Sequence, residues 1–245
     1  MTATGVFKPR RFSRLVLSDA QNVSRDPILI FAIGLSLIMP VAVAVFRADI
    51  DAAAAAGLCV AGLSRYLAAV AFTLPAFLVG WVTGFLLLED RDDGPLLAME
   101  VTPVGKGGFF AYRVANTALI GVVIGIVTAR LLFPELGWAM SVFLAALVAI
   151  EAIIVAFILL ALASNKVEGL AITKLTNIGS IVPLVAVMPW PWRYGAGVVP
   201  SYWIGELIGL SPVAFLPLAA SAVLAFGVHV AAAILMYKLA VSRLG

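Results

Sequence analysis

The sequence predicts an all-α integral membrane protein with six transmembrane helices. Three observations predict it. The chain has 245 residues, of which 63% are hydrophobic and only 12% charged, about half the charge of an ordinary soluble domain. Its apolar residues form long continuous runs, where transmembrane strands would show short alternating segments. Of its 16 Lys and Arg residues, 12 also fall on one side of the alternating runs. A span needs roughly 20 apolar residues, and helices satisfy their own backbone in lipid.

The six expected spans are about Pro27–Phe46, Tyr66–Leu88, Ala111–Leu132, Trp138–Ala163, Ile172–Met188 and Pro212–Tyr237. The fifth carries Asn177, Gly179 and Pro183. It is expected to be kinked, because proline removes a backbone donor. Together, residues 27–245 form a single transmembrane domain. Twelve basic residues lie on one side: Lys8, Arg10, Arg11, Arg14, Arg25, Arg91, Lys106, Arg113, Lys166, Lys174, Lys238 and Arg243. Arg47, Arg65, Arg130 and Arg193 lie on the other. The positive-inside rule then places both termini in the cytoplasm, as an even number of spans requires.

Ahead of the first span, Phe7, Phe12, Leu15, Val16, Ala20 and Val23 recur at near-helical spacing, with Arg10, Arg11, Arg14 and Gln21 largely elsewhere on the wheel. Residues 1–26 are therefore expected to form an amphipathic helix on the cytoplasmic interface. No small-residue cleavage site follows the first apolar run, so no signal peptide is expected. On the outer side the expected features are an Ala-rich loop at Arg47–Ser64, a tight turn at Phe133–Gly137, and Pro189–Ser211. The last is dense in Trp, Tyr and Pro and reads as a re-entrant or interfacial piece before the sixth span. Ser164–Lys174 is expected as a short cytoplasmic loop. Cys59 is the only cysteine and reads as a small apolar filler.

The most polar stretch, 89–104, lies between the second and third spans. It holds Glu89, Asp90, Asp92, Asp93 and Glu100, five of the 13 acidic residues. A short helix over about 92–103 is expected there. Asp92 or Asp93 caps it, Pro95 sits in its first turn, and Leu96, Leu97, Met99 and Val101 give a small apolar surface. Thr102 and Pro103 end it. Gly105, Gly107 and Gly108 allow the turn back into the membrane. A capped helix on a short tether in water is suited to seat in a cleft of a soluble partner.

Here the chain resembles a known family. Acidic residues closing the second span, then Gly94, Leu96, Leu97, Thr102 and Pro103, are similar to the signature of ABC-2 type ABC transporter permeases. The usual form of that signature is Glu-x-Glu-x-Gly-Thr-x-Glu-x-Leu-x-x-Thr-Pro. Arg91 stands at its second acid and Pro95 at its usual Thr, with the acids shifted to Asp90, Asp92 and Asp93. The span count, the basic N-terminal helix and the aromatic segment before the last span extend the resemblance over nearly the whole chain. Within the family, small permeases named as drug or fluoroquinolone exporters are the most similar.

The resemblance implies an exporter of amphiphilic or hydrophobic small molecules in the cytoplasmic (inner) membrane of a bacterium. Two permeases pair, as a homodimer or heterodimer, above two cytoplasmic P-loop ATPase subunits that bind ATP and Mg. The 92–103 segment is then the coupling helix, with Asp92, Asp93, Leu96, Leu97, Met99, Val101, Thr102 and Pro103 at the ATPase contact. This chain has no Gly-x-x-x-x-Gly-Lys-[Ser/Thr] P-loop, so the nucleotide belongs to another chain and no cofactor is expected on this one. The alternative is a secondary transporter or channel that works without an ATPase.

No catalytic constellation is visible, and the chain is not expected to be an enzyme. There is no Ser-His-Asp set, because the single His has no recognisable partner to orient it, and a lone His cannot assemble a metal site. The net charge of +3 follows topology and signals membrane lipid, not nucleic acid. Glu151, near the middle of the fourth span, is a candidate for the substrate path because an ionisable group at that depth is costly. Asn116 and Asn177 are further candidates within spans. His229, inside the sixth span, is a candidate too, although core packing with one hydrogen bond is the favoured reading. A Glu151–His229 pair is possible, with estimated depths about one helical turn apart. Gly121 and Gly125 give a Gly-x-x-x-Gly on the third span, suited to close helix approach within or between subunits. Arg65 and Arg130 are expected to snorkel to the outer surface.

Overall fold

The computed structural model describes residues 27–92, 105–211 and 216–243, together with Leu17, Gln21, Ser24, Arg25 and Val213. The expected interfacial helix at 1–26 and most of the expected coupling helix lie outside these residues. The elements in chain order are α1 (Pro27–Val45), α2 (Arg47–Leu58), α3 (Leu63–Asp92), α4 (Gly105–Leu132), α5 (Trp138–Leu162) and α6 (Lys166–Thr176). Two 3-10 segments follow, Asn177–Val187 and Trp192–Val198, then α7 (Pro200–Leu207) and α8 (Leu218–Val241). The described residues are helical throughout, with short connections. Five helical stretches are long and apolar enough to cross a bilayer, and the count is six if α1 and α2, bent by 69°, are taken as one broken span. The chain is a multi-pass membrane protein.

The centre of the bundle is α5, packed against α3, α4 and α8. Glycine makes this possible. A Cβ at Gly80 of α3 would stand 2.6 Å from the Ala152 carbonyl oxygen and 2.7 Å from the Val155 Cβ. One at Gly84 would stand 2.9 Å from the Leu159 side chain. From the other side, Cβ atoms at Gly121 and Gly125 of α4 would meet Ala149 at 2.8 Å and Ala145 at 2.7 Å. The Gly-x-x-x-Gly at 121–125 therefore works within one chain. A second pair, Gly80 and Gly84, has the same spacing and the same central partner. Without a hydrophobic drive between helices in lipid, such close contact is what holds spans together.

The fifth span departs from a plain helix, as Pro183 predicts. It is an α-helix from Lys166 to Thr176 and a 3-10 helix from Asn177 to Val187. Pro183 has no N–H. The carbonyls of Gly179, four residues back, and Ser180, three back, therefore lose the donor an ordinary residue would offer. Both are satisfied from other helices: the Ser201 hydroxyl of α7 donates to the Gly179 oxygen at 2.8 Å, and the Thr73 hydroxyl of α3 donates to the Ser180 oxygen at 2.8 Å. The backbone at this break is paid for by two hydroxyls, as lipid demands. Gly205 of α7 faces Pro183 so closely that any side chain there would strike its carbonyl.

Two loop expectations, the reading of Cys59 and the bounds of the last span are corrected. Arg47–Ser64 is not a loop: it forms α2, because Ala52–Ala56 is a strong helix-forming run with Asp49 in the first turn. The Asp51 carboxylate accepts from the Ser64 backbone N–H and from its hydroxyl, each at 2.8 Å, which ties α2 to the start of α3. Cys59 ends α2 in a left-handed conformation, φ 55°, and is exposed rather than buried. Ser164–Lys174 is likewise helical from Lys166. Asn165 caps α6 by accepting from the Glu168 N–H at 3.0 Å, and Glu168 reaches back to the Ser164 N–H at 2.7 Å. The sixth span begins at Leu218 and runs to Val241, later at both ends than expected.

The segment before the last span divides its aromatics. Trp190 and Trp192 are exposed, whereas Tyr202 and Trp203 on α7 are buried. Beneath them lies a charged cluster. Arg193, 2% exposed, has its Nε 3.3 Å from Glu206 Oε1 and donates to the Val213 carbonyl at 2.7 Å and to the Ser211 hydroxyl. Tyr202 donates its hydroxyl to Glu206. Arg65 and Arg130 hold backbone carbonyls at the surface end: Arg65, exposed, donates to the Gly209 carbonyl, and Arg130 to those of Pro134 and Leu136, with its guanidinium 4.9 Å from the Trp138 ring.

Substituting Gly80 or Gly121 by Leu overpacks the α5 contact, at a cost of ~1–3 kcal/mol each. Thermal unfolding of the detergent-purified protein is expected to shift down by several degrees. Gly34, with open space around its Cα, tolerates Ala with no comparable shift.

Candidate functional site

The base of the polar island is built by four helix ends. Helix α3 continues four residues past its apolar run, through Glu89, Asp90, Arg91 and Asp92. Carboxylates at a helix C-terminus oppose the helix dipole, so each needs a partner. Asp90 turns inward, and its Oδ2 accepts from Arg113 Nε at 3.0 Å and Nη2 at 2.7 Å. The side chains of this pair are only 10% and 3% exposed. The Arg113 guanidinium also lies 5.0 Å from the Phe109 ring centroid. Glu89 faces outward and pairs with Lys166 of α6 at 3.2 Å. Arg91 Nη1 donates to the Ala163 carbonyl, just past α5, at 3.1 Å, while its Nε lies 3.0 Å from Asp92 Oδ1.

Three consecutive residues, Glu89, Asp90 and Arg91, thus tie the end of α3 to α6, α4 and α5. One helical turn presents its side chains around the full circle, which lets a single segment reach three neighbours. A little deeper, Thr83 and Thr117 hydroxyls meet at 2.7 Å between α3 and α4. On the far side, Trp81 Nε1 donates to the Thr176 hydroxyl at 2.9 Å, joining α3 to α6. Gly105 opens α4 at φ +66°, a left-handed conformation that glycine adopts freely, so the chain turns sharply into α4.

Of the expected contact residues, Asp92 is at the end of α3. Asp93, Leu96, Leu97, Met99, Val101, Thr102 and Pro103 lie outside the described residues. The candidates within spans are scattered. Asn116 is half-buried on α4, and Asn177 is exposed where α6 passes into its 3-10 continuation. Glu151 and His229 come together: Oε2 and Nε2 are 3.3 Å apart, with the residues 3% and 0% exposed. The expected difference in depth disappears because α8 extends to Val241. Glu151 lies eleven residues before the end of α5 and His229 twelve before the end of α8.

Sequence reasoning missed the Asp90–Arg113 pair and the Arg193–Glu206 cluster. Arg113 read as a topology charge, although its place inside an apolar run was a signal of a buried partner. Glu206, between Ile204 and Leu207, carried the same signal.

Removing one partner of the buried pair, as in Asp90→Asn, takes a charge-assisted contact from a buried guanidinium, at a cost of about 3–5 kcal/mol. Glu89→Gln breaks a half-exposed pair worth about 0–1 kcal/mol. Thermal unfolding is expected to separate the two clearly, and the exchange Asp90→Arg with Arg113→Asp to recover part of the larger loss.

The comparisons with known proteins follow the same outline. A family model, fluoroquinolones export permease protein Rv2686c-like, matches residues 19–241. Two curated proteins of Mycobacterium tuberculosis are similar: fluoroquinolones export permease protein Rv2686c, of strain H37Rv, and fluoroquinolones export permease protein MT2760, of strain CDC 1551. Each is 28% identical over 209 residues, covering 81% of this chain and 81% of the relative. No solved structure matches. With nearly its whole length matched, this chain belongs to the Rv2686c-like family of fluoroquinolones export permeases.

Proposed function

We propose that this chain is the membrane subunit of an ATP-driven exporter in the cytoplasmic membrane, with both termini in the cytoplasm and ATP and Mg held by a separate P-loop ATPase. The observation that carries the reading is the base of the island. A family of export permeases needs an energy source, and this chain contains no P-loop. In sequence, residues 93–104 join two anchored helix ends, the last turn of α3 and the start of α4. Ion pairs and a hydrogen bond from Glu89, Asp90 and Arg91 connect the α3 end to α4, α5 and α6.

A push on the island would therefore be shared by four helices at once and not dissipated in a loose loop. Leu96, Leu97, Met99 and Val101 are the surface that meets the ATPase, and Asp92, Asp93, Thr102 and Pro103 bound it. A second permease subunit completes the membrane unit, as the outward apolar faces of α4 and α8 allow: Leu119, Val123 and Val127 on α4, and Val223, Phe226 and Leu235 on α8, are exposed.

The cargo is an amphiphilic small molecule. The relatives' names specify fluoroquinolones, which combine a flat aromatic body with ionisable groups, and the apolar spans suit such a body. The chain's role is transport, with the hydrolytic chemistry on its partner.

Co-expression with a candidate P-loop ATPase from the same organism tests the reading. The ATPase is expected to co-purify, and Leu96, Leu97 and Met99→Asp together to reduce its recovery about tenfold or more, since ~1.4 kcal/mol already accounts for tenfold. Undiminished recovery overturns the coupling assignment. Loss of the ATPase's P-loop Lys should abolish any fluoroquinolone tolerance that the pair confers on cells.

A further inference from the structure

The coupling path leaves one polar pair unused. Glu151 of α5 and His229 of α8 face each other halfway along their helices, both buried. The hydrogen bonds around the imidazole determine its state. His229 Nδ1 is 2.7 Å from the Ala225 carbonyl oxygen. A carbonyl only accepts, so Nδ1 carries a hydrogen, and in the neutral ring Nε2 is a bare lone pair. That lone pair faces Glu151 Oε2 at 3.3 Å, and neither atom has another hydrogen-bond partner. The surroundings are apolar: Val148, Ala152 and Val155 on α5 and Ala225 on α8 are all buried. An ionised carboxylate facing a bare nitrogen there would be repelled and unsolvated. One added proton removes both problems. On Oε2 it is donated to Nε2; on Nε2 it is donated to Oε2 within an ion pair. Either way the pair is neutral overall.

Among the described residues, no other charge is placed to do this. The charged groups of α3 and α6 sit in their end turns, where Asp90 pairs with Arg113, two turns into α4, Glu89 pairs with Lys166, and Glu168 caps α6. Arg65 and Arg130 bind carbonyls at the opposite end. On α7, Glu206 is engaged by Arg193 and Tyr202. On α8, Tyr237 and Lys238 lie more than two turns from His229, and Tyr237 packs on Phe157 and Phe110.

We propose that Glu151 and His229 form a binding site for a single proton in the middle of the membrane, and that this proton fastens α8 to α5. The site makes the packing of the last span depend on proton occupancy. With the proton bound, α8 is held at mid-depth as well as by the Phe110–Phe157–Tyr237 cluster near its end. When the proton leaves, the carboxylate and the bare nitrogen repel, and that middle contact opens.

His229 is the only histidine in the chain, so isotopic labelling of histidine gives one imidazole signal. The experiment uses the full chain in lipid nanodiscs without any ATPase, so its outcome is independent of the coupling reading. The wild type is expected to show Nδ1 protonated and Nε2 hydrogen-bonded. As pH rises, the Nε2 signal should shift, and the distance between spin labels at Leu162→Cys and Leu239→Cys, with Cys59→Ser, should lengthen. In Glu151→Gln the side-chain amide donates to Nε2 permanently, so both readouts should become insensitive to pH. Glu151→Ala should lose the Nε2 hydrogen bond, and the Gln arm decides the matter if the Ala variant does not fold. A neutral ring protonated on Nε2 alone, or a pH response that survives unchanged in Glu151→Gln, overturns the proposal.

Discussion

The architecture depends on how closely α3 and α4 approach α5. Gly80 and Gly84 on one side, and Gly121 and Gly125 on the other, bring backbone against the small-residue track Ala145, Ala149, Ala152 and Ala156. The contact is geometric before it is energetic. Each pair is spaced by one helical turn, and each meets residues one turn apart on α5, so the helices are registered along their length as well as held together. That register brings Asp90 and Arg113 to the same level at the island end, and Thr83 beside Thr117 a little deeper. It leaves a different face of α5 for Glu151 to meet α8.

Charge is distributed with matching economy. At the island end the acids and bases of α3, α4 and α6 pair across helix termini, where the dipoles and the nearby water reduce the cost. At the opposite end, arginines bind the carbonyls that helix ends leave open, and Arg193 and Glu206 meet beneath the aromatic residues of α7. Between these two layers the described ionisable groups of the spans are Glu151 and His229, on the same level and in contact. The bundle thus has two stiff polar ends and a middle joined by close packing and one dyad.

The positions of the spans were legible because apolar length is a one-dimensional signal, and the break at Pro183 was legible because a missing donor is a property of one residue. Two loops were misread for opposite reasons. Arg47–Ser64 combines charge at one end with a short alanine run, too short to span, so length argued for a loop although propensity argued for a helix. Ser164–Lys174 carries Lys166, Glu168 and Lys174, and charge was taken as a sign of irregular chain where it caps and flanks a helix. Pairings were hardest. Asp90–Arg113 needs the turn geometry across the island, and Glu151–His229 needed the true end of α8. Gly80 and Gly84 show the same spacing as Gly121 and Gly125, but which glycine pair finds a partner is a tertiary fact. The island's own contact surface, read from sequence, lies outside the described residues.

Thr73, Pro183 and Ser201 stand far apart in sequence but answer to one another through two carbonyls. In evolutionary terms they form a single inherited unit. A lineage that keeps the proline must keep the Thr73 hydroxyl, or leave the Ser180 carbonyl without a donor inside the membrane, and gains from Ser201 beside it. One that loses the proline releases both positions together, and the fifth span becomes free to straighten. Correlated change at these three sites, more than at any one of them, would therefore record whether a relative has retained the same bent span.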